Sequence, residues 1–201
     1  MLNQVPFYFL RHGETDWNAR GVMQGQTDID LSDIGRRQAE AIAPTVASLP
    51  IKSICCSSLI RARRTAEIVN ENSNREIFEF DELRECRFGI YEGKPSNGSW
   101  REEWVKGGVL PDGESYQEYL DRALSGLNKA LSKPGPVLVV AHGGTFWTIQ
   151  RHALKEDAVR IPNCVLFQLE PPSASYGHWA VQQIAAPSGH RLIIGEAAKA
   201  N

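Results

Sequence analysis

Two short apolar runs constrain this chain more than any other feature. Val5–Leu10 reads VPFYFL and Val137–Ala141 reads VLVVA, and each stops abruptly at polar residues, Arg11-His12-Gly13 and His142-Gly143-Gly144. Apolar runs without polar alternation suit strands covered on both faces. The covering helices are legible between them. Ser32–Leu49 is predicted helical, with Ser32 as cap and Ile34, Ala41, Ile42 and Val46 near helical spacing. A second strand is expected over Ile51–Ser57, a second helix over Leu59–Asn72 and a third strand over Glu76–Phe80. Helices follow at Glu114–Leu131 and Thr145–Leu154, with late strands at Val165–Leu169 and Trp179–Ile184. The tail from Pro187 is weakly determined.

Alternating strands and helices imply an α/β sandwich around a mostly parallel sheet. At 201 residues, one domain spanning 1–201 is the expectation. Residues 81–113 break the pattern, with six glycines and two prolines. A loop region of that length inside a compact domain is more often functional than decorative, and 86–113 reads as an inserted, lid-like region. In open α/β sheets ligands sit beyond the carboxyl ends of the strands. Three such ends carry Arg11-His12, Ser57-Ser58 leading to Arg61, and His142.

Composition narrows the partners. The 22 Lys and Arg nearly balance 24 Asp and Glu, for a net charge of -2, which argues against a polynucleotide surface. Any attraction for an anionic substrate is therefore local. No stretch is long enough to span a membrane, and Val5–Leu10 is too short for a signal core. The four cysteines form no C-x-x-C pair, so a reducing, cytoplasmic setting fits. The expected partner is a small molecule, with no nucleic acid or membrane, for a monomer or homodimer.

The three strand ends would gather two histidines, two arginines and glycine amides. Guanidinium groups bind phosphate oxygens bidentately, glycine lets backbone N–H groups approach an oxyanion, and neutral imidazole is a nucleophile toward phosphorus. Arg61 stands out from its neighbours. Ala62, Thr65, Ala66, Ile68 and Val69 define its helix's apolar face, and Arg61 lies nearer that face than Arg63 or Arg64. A cation there needs an anion; alternatively it snorkels to solvent. Cys55 to Arg61 has the C-x5-R spacing of cysteine phosphatases, but no glycine lies between to turn the loop amides inward. A Walker loop ending at Gly93-Lys94 fails, since Phe88 and Pro95 occupy required positions. No histidine–carboxylate motif has metal spacing, so neither metal nor cofactor is expected.

The run Leu10-Arg11-His12-Gly13-Glu14-Thr15-Asp16-Trp17-Asn18 closely resembles the motif of the histidine phosphatase superfamily, phosphoglycerate mutase-like branch. Further blocks resemble that family in order: Gln24–Ser32, Ser57–Ala66, Leu83-Arg84-Glu85 with Gly89 and Glu92-Gly93, Gly113-Glu114-Ser115, and His142-Gly143-Gly144. The resemblance implies a three-layer sandwich and a phosphohistidine intermediate formed without metal. It assigns His12 as nucleophile, and Arg11, Arg61 and His142 to the phosphoryl oxygens, with Asn18 and the Gly143 amide nearby. Glu85 becomes general acid and then general base, and Gln24 and Gly25 line the substrate side. Ser58 departs from the family's frequent proline, where only a local backbone effect is expected.

Without the resemblance, Glu85 reads as a solvated loop acid, and Glu14 and Glu114 are the alternatives for its role. Trp17, Tyr91, Trp100 and Trp104 are candidates for the pocket mouth or for packing, while His152, His178 and His190 have no catalytic company. Mutases of this family carry a longer insertion after the Glu85 block and an extended tail; here only residues 94–112 intervene. The chain looks most like the small broad-specificity and α-ribazole phosphatases, which implies hydrolysis of a phosphomonoester. The alternatives are a mutase-type phosphoryl transferase and a catalytically weak phospholigand-binding protein.

Overall fold

The computed structural model describes residues 1–96, 101–154, 160–174 and 177–187. In chain order the elements are β1 (Phe7–Arg11), α1 (Asp16–Ala19), α2 (Asp33–Ser48), β2 (Ser53–Ser57), α3 (Ile60–Asn70), β3 (Glu76–Phe80), α4 (Arg101–Val105), α5 (Tyr116–Leu131), β4 (Val137–Ala141), α6 (Gly143–Ile149), β5 (Leu166–Glu170) and β6 (Ala180–Ala185). The strands form one sheet in the order β3-β2-β4-β1-β5-β6. Its β3, β2, β4 and β1 are mutually parallel. β5 runs antiparallel to both β1 and β6, so it alone opposes the common direction, and the mostly parallel sheet expected above is what forms.

Period-two alternation assigns the two faces. Phe7 and Phe9 of β1, Cys55 of β2 and Val137, Val139 and Ala141 of β4 pack with Leu127, Ala130 and Leu131 of α5 and Phe146 and Ile149 of α6. Tyr8, Leu10, Ile54, Cys56, Leu138 and Val140 face the other way, against Ala39, Ile42, Ala43 and Val46 of α2 and Ala66 and Val69 of α3. All five residues of β1, β2 and β4 are buried, which explains why their sequences carry no polar alternation. Each large apolar side chain buried in this way contributes about 1.5–3 kcal/mol. A third cluster seats Cys86, Trp104 and Leu110 on Tyr119 and Ala123 of α5.

Register then fixes the rim. Arg11 lies opposite Ala141 on β4, and Cys56 of β2 opposite Val140. His12, Ser57 and His142 therefore emerge side by side at the carboxyl end of the sheet.

Two of the boundary shifts from the sequence expectation have identifiable reasons. β1 begins at Phe7 rather than Val5, because Pro6 has no N–H for a ladder and Val5 is exposed. α6 begins at Gly143 rather than Thr145: the Phe146 N–H reaches the His142 carbonyl at 3.2 Å, and low glycine propensity matters little in a first turn held from outside. It continues into a π-helical turn at Gln150–Leu154. The short helices α1 and α4 were not expected; α1 is held by a capping box between Thr15 and Asn18.

Candidate active site

His12 is buried at the exit of β1. Its Nδ1 lies 2.7 Å from the carbonyl oxygen of Gly13. A carbonyl can only accept, so Nδ1 carries the hydrogen and Nε2 keeps the lone pair. Burial, and after it the charges of Arg61 and Arg11, hold the His12 pKa well below the usual imidazole range. The ring is therefore neutral at neutral pH, with a free lone pair on Nε2. The loop behind it is clamped: Asn163 Nδ2 donates to the carbonyls of His12 (2.9 Å) and Gly13 (3.3 Å), and the Gly13 N–H donates to Thr65 Oγ1 at 2.9 Å.

His142 stands with its ring centroid 5.1 Å from that of His12. Burial, then Arg61, keep it neutral as well. Its Nε2 lies 2.8 Å from Ser57 Oγ, while its buried Nδ1 has no partner among the described residues. If Ser57 donates to Nε2, Nδ1–H becomes a free donor.

The two arginines surround the histidines. Arg61 is 1% exposed, which resolves the choice between buried cation and snorkelling side chain. Its terminal nitrogens donate to Thr27 O (3.0 Å) and Gly25 O (2.7 Å), and Arg11 Nη1 donates to Ile161 O. Neither pairing supplies a counter-charge, and the Nε of each is buried without a partner. Burial lowers both pKa values to about 10, opposed chiefly by Glu85, so both remain charged at neutral pH. Two buried cations with unused donors form a site that lacks an anion.

Glu85 lies across the same cavity. Its Oε1 accepts from the Cys86 N–H (2.9 Å) and the Tyr119 hydroxyl (3.1 Å), and its Oε2 from the Gly144 N–H (3.1 Å). The loop beneath is held by Arg122, whose guanidinium reaches the carbonyls of Glu82, Arg84 and Glu85 while pairing with Glu114 at 2.7 Å. Glu114 is thus committed to Arg122. Glu14 accepts from Ser32 Oγ and does not line this cavity. Of the three carboxylates, Glu85 is the one that lines the cavity.

The cavity, about 420 Å³, brings together Arg11, His12, Asn18, Gln24, Gly25, Arg61, Glu85 and Gly143. Asn18 Oδ1 is taken by Thr15 and Asn163, which leaves its amide hydrogens for the cavity. The Gly143 N–H makes no hydrogen bond among the described residues, whereas that of Gly144 is spent on Glu85. Gly25 adopts φ +54°, and a Cβ there would lie 2.1 Å from Glu92 Oε1, so glycine is required. Trp17 and Trp104 line the wall with Phe88 and Trp147. Tyr91 does not; it packs against the Cys86–Trp104 cluster. His152 and His178 lie on the surface. Trp100 and His190 fall outside the described residues.

Cys55 is no rival nucleophile. It sits mid-strand in the core, its thiol aimed at Ala130 O and pushed up to about 12 by burial. Ser58 does more than the local backbone effect expected of it. Its hydroxyl donates to Asp81 and accepts from Arg84 Nε at 2.8 Å, tying the β2 end to the segment before Glu85. Sequence reasoning gave no role to Asn163, Thr65, Tyr119 or Arg122. Among the described residues, no group of three or more His, Cys, Asp or Glu side chains could hold a metal ion, and no helix is long and apolar enough to cross a membrane.

Comparison with known proteins agrees with this geometry. Residues 7–179 match the histidine phosphatase superfamily (branch 1). A protein named "Probable phosphoglycerate mutase GpmB" from Serratia proteamaculans is 34% identical over 179 residues, covering 81% of this chain and 83% of that one. One named "Uncharacterized phosphatase PhoE" from Bacillus subtilis is 36% identical over 168 residues, covering 80% and 86%. The solved mycobacterial glucosyl-3-phosphoglycerate phosphatase superposes with a TM-score of 0.73 at 28% identity, over 90% of this chain and 98% of that one. The chain belongs to branch 1 of the histidine phosphatase superfamily.

Proposed function

We propose that this histidine phosphatase hydrolyses a small phosphomonoester in two steps at the His12 cavity. The observation that carries the reading is the His12–Gly13 hydrogen bond, which leaves Nε2 of a neutral, buried imidazole as nucleophile beside two buried cations lacking an anion. Nε2 attacks phosphorus and the ester P–O bond breaks. The leaving oxygen takes a proton from Glu85. Water then gives a proton to the Glu85 carboxylate and attacks phosphorus, the P–N bond breaks, and inorganic phosphate departs. Arg11, Arg61, the Gly143 N–H and His142 Nδ1–H bind the phosphoryl oxygens, where the negative charge develops. In this arrangement Ser57 donates to His142 Nε2, so that Nδ1 presents a hydrogen rather than a lone pair.

Hydrolysis is favoured over internal transfer because the segment between the Glu85 and Gly113 blocks is short, so water reaches the intermediate. On the acceptor side, the wall of Trp17, Met23, Phe88 and Trp147 suits an ester whose alcohol carries an apolar or aromatic part. The four free, buried cysteines suit a reducing, cytoplasmic setting without nucleic-acid or membrane partners, as monomer or homodimer.

Brief incubation with ³²P-labelled phosphomonoester in EDTA, followed by alkaline quench, should leave an acid-labile, base-stable label on His12. His12→Ala should show neither label nor turnover, while Cys55→Ser should turn over within about 3-fold of wild type. Activity that survives in His12→Ala, a label on cysteine, or activity that EDTA removes and Mg²⁺ restores would each overturn the reading.

A further inference from the structure

Tyr119 is 0% exposed, yet its hydroxyl lies beside the cavity, 3.1 Å from Glu85 Oε1. Its ring is fixed independently of that bond. It packs in the cluster with Trp104, at 6.4 Å between ring centroids, and under the Arg122 guanidinium at 5.3 Å. The fit around the hydroxyl is close. A Cβ placed on Gly144 would stand 2.2 Å from Glu85 Oε1 and 2.3 Å from Tyr119 Oη, so glycine at 144 is a condition of the Glu85–Tyr119 contact.

Lone-pair accounting shows what the bond does. Oε1 has two acceptor sites, and both are filled, by the Cys86 N–H and the Tyr119 O–H. Oε2 accepts only from Gly144 and keeps one site open. A proton carried by Glu85 must therefore reside on Oε2. Burial, followed by the charge of Glu85, raises the Tyr119 pKa well above the usual phenol range, so the hydroxyl keeps its own hydrogen and toward Glu85 it acts as the donor.

We infer that Tyr119 is a positioning residue for the general acid: by filling Oε1 it directs the transferable proton to Oε2 and holds that oxygen toward the leaving group. The inference rests on Glu85 being the acid. The balance is simple. One proton passes from Oε2 to the leaving oxygen as the P–O bond breaks, and one returns from water in the second step. Tyr119 donates to Oε1 throughout and exchanges nothing.

The test compares kcat/KM for a primary alkyl phosphate and for p-nitrophenyl phosphate in wild type, Tyr119→Phe, Glu85→Gln and the double variant. This constant reports only the steps up to release of the alcohol. Tyr119→Phe keeps the packed ring and removes one hydrogen bond to a carboxyl that becomes charged as its proton leaves, so the alkyl ester should slow about 10- to 100-fold. The nitrophenyl ester, whose leaving group departs without a proton, should slow under about 3-fold. The ratio of the two constants within one preparation is independent of how much protein is folded. In the Glu85→Gln background Tyr119→Phe should have little further effect, since no transferable proton remains to direct. Equal losses on both esters, or an undiminished alkyl-specific loss in the double variant, would overturn the inference. Absence of phosphohistidine in the wild type would instead overturn the two-step reading itself, and a Glu85→Gln without ester dependence would remove the acid on which Tyr119 acts.

Discussion

The two ends of the cavity are built by different means. The phosphoryl end is strand-built: Arg11, His12 and His142 issue from the adjacent, parallel β1 and β4, and Arg61 from the helix after β2. The leaving-group end is loop-built: Glu85 sits on an irregular segment whose position depends on Arg122, Tyr119 and a small separate core. The difference separates two tasks. Charge on the phosphoryl group is similar for every ester, and a sheet rim places it once. In the proposed reaction proton delivery must suit the alcohol, and Glu85 is held by side chains of α5, outside the sheet.

The sharpest way to break the comparison is at the leaving-group end. Glu85→Gln should lower kcat/KM on the alkyl phosphate about 10² to 10⁴-fold, the range of general acid catalysis, and far less on p-nitrophenyl phosphate. Equal losses on both would mean that Glu85 merely shapes the site. A smaller but uniform effect belongs to the other end. Arg61→Gln should cost about 10² to 10³-fold, comparable to loss of a preorganised oxyanion donor, and the same on both esters. An ester-dependent loss there would show that the two ends are not separable.

The mildest effect concerns stability in acid, and it too should map to one end. Folding lowers the pKa values of His12 and His142. Below about pH 6.5 the unfolded histidines take up protons that the folded ones refuse. The unfolded state then binds more protons, and stability falls as pH drops, by at most about 1.4 kcal/mol per pH unit for each histidine. The loss begins near the unfolded value and stops below the folded one. Urea unfolding at pH 7 and pH 5 should show the decline, and His142→Asn should flatten it. An unchanged slope in that variant would place the acid sensitivity elsewhere.

The same division governs what the sequence reveals. The phosphoryl end was legible because it follows periodic structure. β3 and β4 fall on their expected residues, and the nearness of Arg61 to an apolar helix face left burial and snorkelling open, of which burial is what forms. The leaving-group end has no period. Glu85 was reached only by resemblance, since among Asp81, Glu82 and Arg84 nothing local distinguishes it. Tyr119 and Arg122 read as ordinary helix residues, because what they hold is 34 and 37 positions away along the chain. Ser57 and Asn163 act through hydrogen bonds spanning 85 and 151 positions, and no spacing rule reaches across such intervals.

Arg122 gives the acid a different frame of reference from the nucleophile. By gripping three carbonyls before and at Glu85 it makes α5 the datum for proton delivery, while β1 is the datum for attack. The separation that matters for chemistry is therefore the thickness of the layer between a helix and a sheet. That layer is filled by Leu127, Ala130, Phe9 and Val139, none of which lines the cavity. The packing of this core is in effect a spacer, which sets how far the Glu85 carboxyl stands from the His12 ring.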